Sequence, residues 1–186
     1  KTTGVDDRVL PHVVIYDAAL TVSLPVEMSI ASGLNGMAHC IDSLWGPHAD
    51  PINAAMAAEG IRALNSGLPQ IMDDPQGLEG REKALYGAYL SAVAFASAGS
   101  GLHHKICHVL GGTFNLPHAQ THATVLPYVL GFNAPEAPEA AERIAAAFGS
   151  ENALEGLQTL RNRVGAPTAL KDYGFTEEGI PTAVDL

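Results

Sequence analysis

The sequence predicts an all-α domain of several helices that is entered through one short strand. The chain has 186 residues, of which 47% are hydrophobic, and this is enough for one domain with a buried core. Only the run HVVIYD, residues 12–17, is short, β-branched and bounded like a strand. The rest of the chain repeats helix start signals and Ala-rich stretches. We therefore expect an inter-domain connection with the strand over residues 1–22 and a helical domain over residues 23–186.

Capping residues place the helices along the chain. Ser23 followed by Pro25 indicates one helix start, Ser32 indicates a second, and the pair Asp50-Pro51 indicates a third. Another helix is expected to carry the histidines that follow residue 102. The other predicted helices cover residues 23–32, 32–46, 51–67, 78–98, 119–130, 138–148 and 153–164.

Composition excludes several classes of protein. The formal net charge is -10, from 20 acidic and 10 basic side chains, which argues against nucleic acid as a partner. No stretch approaches the roughly 18–20 apolar residues of a membrane span, and no signal peptide is recognisable. Two cysteines, Cys40 and Cys107, form no disulfide framework, so we expect two buried thiols and a cytoplasmic location. The chain opens without an initiator Met, and we expect it to be part of a longer protein.

Five of the eight histidines lie in the stretch SGLHHKICHVLGGTFNLPHAQTH, residues 100–122. His104 and His108 are four residues apart and share one helix face, while His103 and Cys107 share the adjacent face. The glycine pair at 111–112 is expected to break the helix and let the chain turn back with His118. Two imidazoles on one face and a third on a returning segment are typical of a site for a metal or a polar substrate.

A second motif lies upstream, in GLNGMAHCID. Asn35 and His39 are again four residues apart, and with His104 and His118 they would bring four polar groups together from three segments. The zinc-protease motif H-E-x-x-H is excluded because Lys105 stands where its glutamate belongs. Neither a G-x-S-x-G elbow nor a P-loop is present. His12 and His48 stand outside the cluster and are expected to be ordinary surface residues.

Together, GLNGMAHCID and GLHHKICHVLGGTFNLPHAQTHATVLP resemble the iron-containing alcohol dehydrogenase superfamily and, within it, the maleylacetate reductase branch. The resemblance implies the C-terminal helical domain of the dehydroquinate synthase-like/iron-containing alcohol dehydrogenase fold. It also implies an N-terminal nucleotide-binding domain, absent from this chain, that binds NADH or NADPH. No convincing G-x-G-x-x-G occurs here, so the cofactor-binding residues remain unknown. Members of the family are commonly homodimers, which is the state we expect.

The superfamily's metal positions fall on Asn35, His39, His104 and His118. An iron or zinc ion at these positions is usually held by an aspartate where this chain has Asn35. An amide oxygen offers only a dipole in place of a negative charge, so metal binding should weaken. The maleylacetate reductase branch shares this asparagine and is regarded as working without a metal. We therefore expect that a divalent metal is possible at this site and is not required.

The resemblance further implies reduction of the conjugated double bond of maleylacetate, a dicarboxylate, to 3-oxoadipate in the breakdown of aromatic and chloroaromatic compounds. His39, His104 and His118 would stabilise the enolate, and His108 or His122 would return a proton to carbon. These five histidines are the predicted catalytic residues. The predicted substrate-binding residues are Asn35 and Lys105.

Two alternatives stay open at this point. One is an iron- or zinc-dependent alcohol or polyol dehydrogenase on the same scaffold, which would use the four metal positions directly. The other is a helical metal-binding or interaction module without catalysis.

Overall fold

The computed structural model describes residues 7–9 and 11–186, and its long elements are all helices. Short 3-10 turns join them, and no helix in the described ranges is long and apolar enough to cross a membrane. The all-α prediction is therefore confirmed. The helices are α1 Val26–Ser43, α2 Pro51–Asp73, α3 Leu78–Ala98, α4 Leu102–Phe114, α5 His118–Asn133, α6 Pro138–Phe148, α7 Ala153–Arg163 and α8 Ile180–Val184.

The predicted entrance strand over residues 12–17 is wrong. These residues follow the surface without strand pairing, and Val13, Val14 and Ile15 are all exposed. A strand needs a neighbouring segment to complete its ladder of backbone hydrogen bonds. No described segment pairs with this run, so its β-branched composition produces extended chain only.

Two predicted helix breaks are also wrong. The helices expected over 23–32 and 32–46 form the single helix α1, which runs through Gly33. A Cβ at Gly33 would lie 2.4 Å from Leu68 Cδ2, so this glycine serves close packing. Helix α4 likewise continues through the glycine pair at 111–112. The chain turns instead at Asn115, whose φ of 52° is left-handed.

Helix α1 occupies the centre of the domain. It packs against α2, α3 and α5, while α4 lies against α5 and reaches α1 at its own first turn. The core cluster follows from this arrangement, since fully buried side chains of α1, α2 and α5 meet there. Examples are Leu34, Met37, Ile61, Leu64 and Leu126. The ends of α1, α4 and α5 that carry histidines are thereby brought to one side of the core.

Helices α2 and α3 form a tightly packed antiparallel pair. A Cβ at Gly67 would lie 2.9 Å from the Gly80 carbonyl oxygen, and a Cβ at Gly80 would lie 2.8 Å from Gln70 Cβ. The two backbones therefore approach too closely for any side chain at either position. Arg81, next to this contact, is buried and donates hydrogen bonds to the backbone oxygens of Thr21 and Pro75. These bonds fix the connecting segment against the α2–α3 turn.

We predict that Gly80→Ala destabilises the fold by about 1–3 kcal/mol, because the added methyl group forces α2 and α3 apart. The matched control is Gly112→Ala in α4, where an added Cβ would meet nothing within 4 Å. That change should stabilise by about 0.5–1 kcal/mol, since alanine favours the helix. Urea unfolding of both variants measures the difference. Equal free energies of unfolding would contradict the close approach of α2 and α3.

Candidate functional site

Six of the eight histidines form one cluster of ring contacts between α1, α4 and α5. His104 lies at its centre, with ring centroids 4.7 Å from His39, 4.9 Å from His122, 5.2 Å from His103 and 6.3 Å from His108. His118 joins the cluster through His122, at 4.3 Å. The structure thus brings together all five histidines that the sequence analysis selected as catalytic.

The cluster has an exposed rim and a buried interior. His108 and His118 are exposed and His39 is half-buried, so a small molecule can reach these three rings. His104 and His122 are buried, with at most 2% of their surface exposed. Any chemistry on a bound molecule therefore begins at the rim.

Phe95 of α3 forms one wall of the cluster. Its ring stacks on His39 with a centroid distance of 4.4 Å and an interplanar angle of 15°. It also lies 4.3 Å from the His104 ring. Phe95 therefore fixes the orientation of both imidazoles from a helix that contributes no histidine of its own.

Asp42 is the buried charged group beneath the cluster. One carboxylate oxygen, Oδ2, accepts hydrogen bonds from His104 Nδ1 at 2.7 Å and from the backbone N–H of Gly101 at 3.1 Å. The other oxygen accepts from Trp45 Nε1 at 3.2 Å. A carboxylate facing Nδ1 places the proton of the imidazole on that nitrogen. Nε2 of His104 is then left without a partner among the described residues.

The first turn of α4 is built around this carboxylate. The backbone N–H of His104 also points at Asp42 Oδ2, at 3.3 Å, and the N-terminal end of a helix favours negative charge. A Cβ at Gly101 would lie 2.7 Å from Asp42 Oδ1, so only glycine admits the carboxylate here. Burial works to raise the pKa of Asp42, but hydrogen bonds from His104 and Trp45 outweigh it and hold the pKa below its usual range.

Burial keeps most of the imidazoles neutral. It lowers the pKa of His39 to about 4, of His103 to about 3 and of His122 to about 2, and neighbouring imidazoles add to each shift. The pKa of His118 is lowered for the same reasons. At neutral pH these side chains are therefore uncharged hydrogen-bond donors and acceptors.

The two predicted substrate-binding residues lie in different places. Asn35 is half-buried one helical turn before His39, and its side-chain oxygen has no partner among the described residues. Lys105 is outside the cluster. It lines an apolar groove of about 440 Å³ on the other side of α4, together with Leu170 and Phe175.

The three histidines at the superfamily metal positions do not bring their ligand atoms within 4.8 Å of one another. Iron and zinc bind imidazole nitrogen at about 2.0–2.2 Å, so the ligand atoms of one ion lie no more than about 4.4 Å apart. In the described part of the chain, one set of three or more His, Cys, Asp or Glu residues has all its ligand atoms within 4.8 Å of one another. That set does not contain His39, His104 and His118. Asn35 also supplies no charge, and we therefore derive no chemical step from a metal at these positions.

Sequence reasoning missed Asp42 and Phe95. Asp42 stands in the motif GLNGMAHCID, three residues after His39, and an acidic residue on a histidine-bearing helix was the available signal. Its partner lies 62 residues away, so the contact is visible only in the fold. Phe95 sits in the Ala-rich helix α3, and no local pattern distinguishes it from a core residue.

The class of this helical domain follows from a comparison with protein families. The family model described as "Fe-containing alcohol dehydrogenase family, C-terminal" matches residues 29–186, and the chain belongs to that family. It is 48% identical over its whole length to a maleylacetate reductase from Sphingobium indicum. The chain spans about half the length of such curated relatives, 53% in this case.

Solved structures agree with this assignment. An iron-containing alcohol dehydrogenase from Corynebacterium glutamicum is 75% identical, with a TM-score of 0.97 over 99% of this chain and 52% of the other. Maleylacetate reductase from Rhizobium sp. strain MTP-10005 is 42% identical, with a TM-score of 0.93 over the same shares.

We predict that the free energy of unfolding falls as the pH drops from 6.5 to 5. The unfolded chain takes up protons on its histidines near pH 6.5, whereas His39, His103 and His122 stay neutral in the fold. Each such histidine lowers the free energy of unfolding by about 1.4 kcal/mol for each pH unit below 6.5. Urea unfolding at a series of pH values should show this slope, and His122→Gln should reduce it by about one proton. His48→Gln, which changes an exposed imidazole outside the cluster, should keep it; a slope that is the same in both variants would contradict the neutral cluster.

We also predict that Asp42→Asn destabilises the protein by about 2–4 kcal/mol, because an amide N–H then faces buried donors. The control is Asp73→Asn, which breaks the exposed ion pair of Asp73 with Arg163 and should cost about 0–1 kcal/mol. Thermal or urea unfolding measures both. Equal losses in the free energy of unfolding would contradict a larger contribution of the Asp42 contacts to stability.

Proposed function

We propose that this chain is the helical half of an NAD(P)H-dependent maleylacetate reductase, an oxidoreductase that converts maleylacetate to 3-oxoadipate. The observation that carries the proposal is the cluster of neutral imidazoles, with Asn35 beside it, in a chain 48% identical to a maleylacetate reductase. Such a cluster offers hydrogen bonds to a polar substrate without needing a metal ion. The reaction belongs to the whole protein, because the relatives are about twice as long as this chain.

The reaction transfers a hydride from NADH or NADPH to the double-bond carbon that is β to the keto group. The electron pair of the double bond moves to form an enolate on the keto oxygen. A proton then adds to the carbon next to the keto group, and the product is 3-oxoadipate with oxidised nucleotide. The helical domain has two tasks in this sequence, which are to stabilise the enolate charge and to supply the proton.

The rim of the cluster suits the first task. His39 and His118 are accessible, and neutral imidazole N–H groups donate hydrogen bonds to a developing oxyanion. His104 would orient the neighbouring rings, since its Nδ1–H is held by Asp42 and its Nε2 then carries no proton to donate. Asn35, with its unpartnered oxygen one turn from His39, would bind a polar group of the substrate.

We propose His108 as the group that returns the proton to carbon. It is exposed, so it can exchange protons with solvent, and its ring lies 6.3 Å from that of His104. His122 is fully buried and would act through the ring of His118, 4.3 Å away. Lys105, on the other side of α4, would attract the dianionic substrate only from a distance.

We further propose that an N-terminal nucleotide-binding domain packs against this chain, that the whole protein is a cytoplasmic homodimer and that it serves the breakdown of aromatic compounds. The packing of an N-terminal domain is supported by the exposed apolar run Val13, Val14 and Ile15, because such a run on the connecting segment needs a covering partner. The greater length of the relatives supports the presence of that domain as well.

A metal-dependent alcohol or polyol dehydrogenase is the second candidate. The name of the Corynebacterium glutamicum structure, 75% identical, favours it. The neutral Asn35 favours the reductase, and so does the separation of the ligand atoms of His39, His104 and His118, which do not all lie within 4.8 Å of one another.

The discriminating experiment is a nucleotide assay on the complete protein. We expect NADH or NADPH oxidation with maleylacetate, with one 3-oxoadipate formed for each nucleotide oxidised. We expect no NAD(P)⁺ reduction with alcohols or polyols, even after addition of iron or zinc. Metal-restored alcohol oxidation together with inactivity toward maleylacetate would overturn the proposal.

We predict that His118→Ala lowers kcat/KM for maleylacetate by about 10²–10⁴-fold, because an oxyanion donor at the rim is lost. The midpoint of thermal unfolding should change little, since His118 is exposed. His48→Ala removes another exposed imidazole away from the cluster and should leave kcat/KM unchanged. A similar loss in both variants, or an unfolded His118→Ala protein, would contradict the role.

A further inference from the structure

We propose a new binding site for a thiophilic divalent cation of the zinc class, formed by His103 and Cys107 of α4 and His122 of α5. These three residues are the set whose ligand atoms lie within 4.8 Å of one another in the described part of the chain. The site is distinct from the superfamily's metal positions, with which it shares no residue. The inference does not depend on the proposed reaction.

Two of the three distances between ligand atoms are close to what zinc needs, and the third lies within 4.8 Å. His103 Nε2 lies 3.6 Å from Cys107 Sγ and 2.9 Å from His122 Nδ1. Tetrahedral zinc with bonds of about 2.0–2.1 Å to nitrogen and 2.3 Å to sulfur separates N and S by about 3.6 Å and two N atoms by about 3.3 Å. The first distance is already met, and the two nitrogens need to separate by only about 0.4 Å.

The chemistry of the donors selects the class of cation. Two imidazoles and a thiolate are borderline and soft ligands, which zinc and cobalt prefer and magnesium and calcium do not. On binding, the Cys107 thiol gives its proton to solvent. The proton of the hydrogen bond between His103 Nε2 and His122 Nδ1 moves to the other nitrogen of its own ring, and both freed nitrogens bind the ion. The fourth ligand would be a water molecule, as in other sites with three protein ligands.

Charge balance also favours a cation here. The pocket contains the buried Asp42 carboxylate, which acts electrostatically on both His103 and Cys107. A divalent ion bound by the Cys107 thiolate would leave one positive charge, and Asp42 would balance it. The neutral Asn35 has removed an anionic ligand from the superfamily's positions, whereas Cys107 supplies one on the adjacent face of α4.

The site would tie α4 to α5. Both helices carry rim histidines, and His103 and His122 both contact the His104 ring, at 5.2 and 4.9 Å. A bound ion would therefore hold together the two helices that shape the histidine cluster. Because all three ligands are buried, the ion would act on the packing of the two helices.

Cobalt substitution of the complete, metal-free protein tests the proposal. We expect one Co²⁺ per chain and a thiolate-to-cobalt charge-transfer band in the near ultraviolet. Cys107→Ser should abolish the band, while Cys40→Ser, which changes the other buried thiol, should keep it. His118→Ala should also keep it, because His118 belongs to the superfamily's positions. Absence of the band in the unaltered protein, or its survival in Cys107→Ser, would overturn the site.

X-ray absorption of the unaltered zinc-loaded protein gives a second measurement that needs no variant. We expect one sulfur at about 2.3 Å and nitrogen ligands at about 2.0–2.1 Å. A zinc shell made only of nitrogen and oxygen would overturn the proposal, because Cys107 would then not be a ligand.

Discussion

The architecture of the site depends on one contact, the hydrogen bond between the Asp42 carboxylate and His104 Nδ1. It joins the C-terminal end of α1 to the first turn of α4, across 62 residues of sequence. The same carboxylate also accepts hydrogen bonds from the backbone N–H groups of Gly101 and His104 and from the Trp45 indole. These donors replace the water that a buried charge would otherwise lose. Four other imidazole rings pack against His104 in this orientation, and His118 joins them through His122.

A second constraint is the scarcity of charge inside the cluster. Burial lowers the pKa of the imidazoles in the cluster, and repulsion between neighbouring rings adds to the effect. The pocket therefore works with neutral donors and acceptors on one side and a single carboxylate beneath. In the proposed reaction the neutral donors would stabilise a transient enolate. In the proposed metal site the carboxylate would balance the charge that remains on the ion with its thiolate ligand.

Much of the fold and of the candidate site could be predicted from the sequence, because helix periodicity and residue spacing are local properties. Helices over residues 78–98 and 138–148 have the expected bounds, and the i,i+4 pairs His104–His108 and Asn35–His39 share helix faces. Predictions failed where packing overrides local preference. Gly33 and the glycine pair at 111–112 lie inside helices, and the run at residues 12–17 has no strand to pair with. Asp42 could not be found, since only tertiary structure brings it to His104.

The most direct test of the account is the protonation of the His104 ring, read by ¹⁵N NMR of the protein labelled at histidine. Because Asp42 accepts from Nδ1, the account predicts a proton on Nδ1 of His104 at neutral pH. A His104 ring that carries its only proton on Nε2 would show that the carboxylate does not orient the central imidazole.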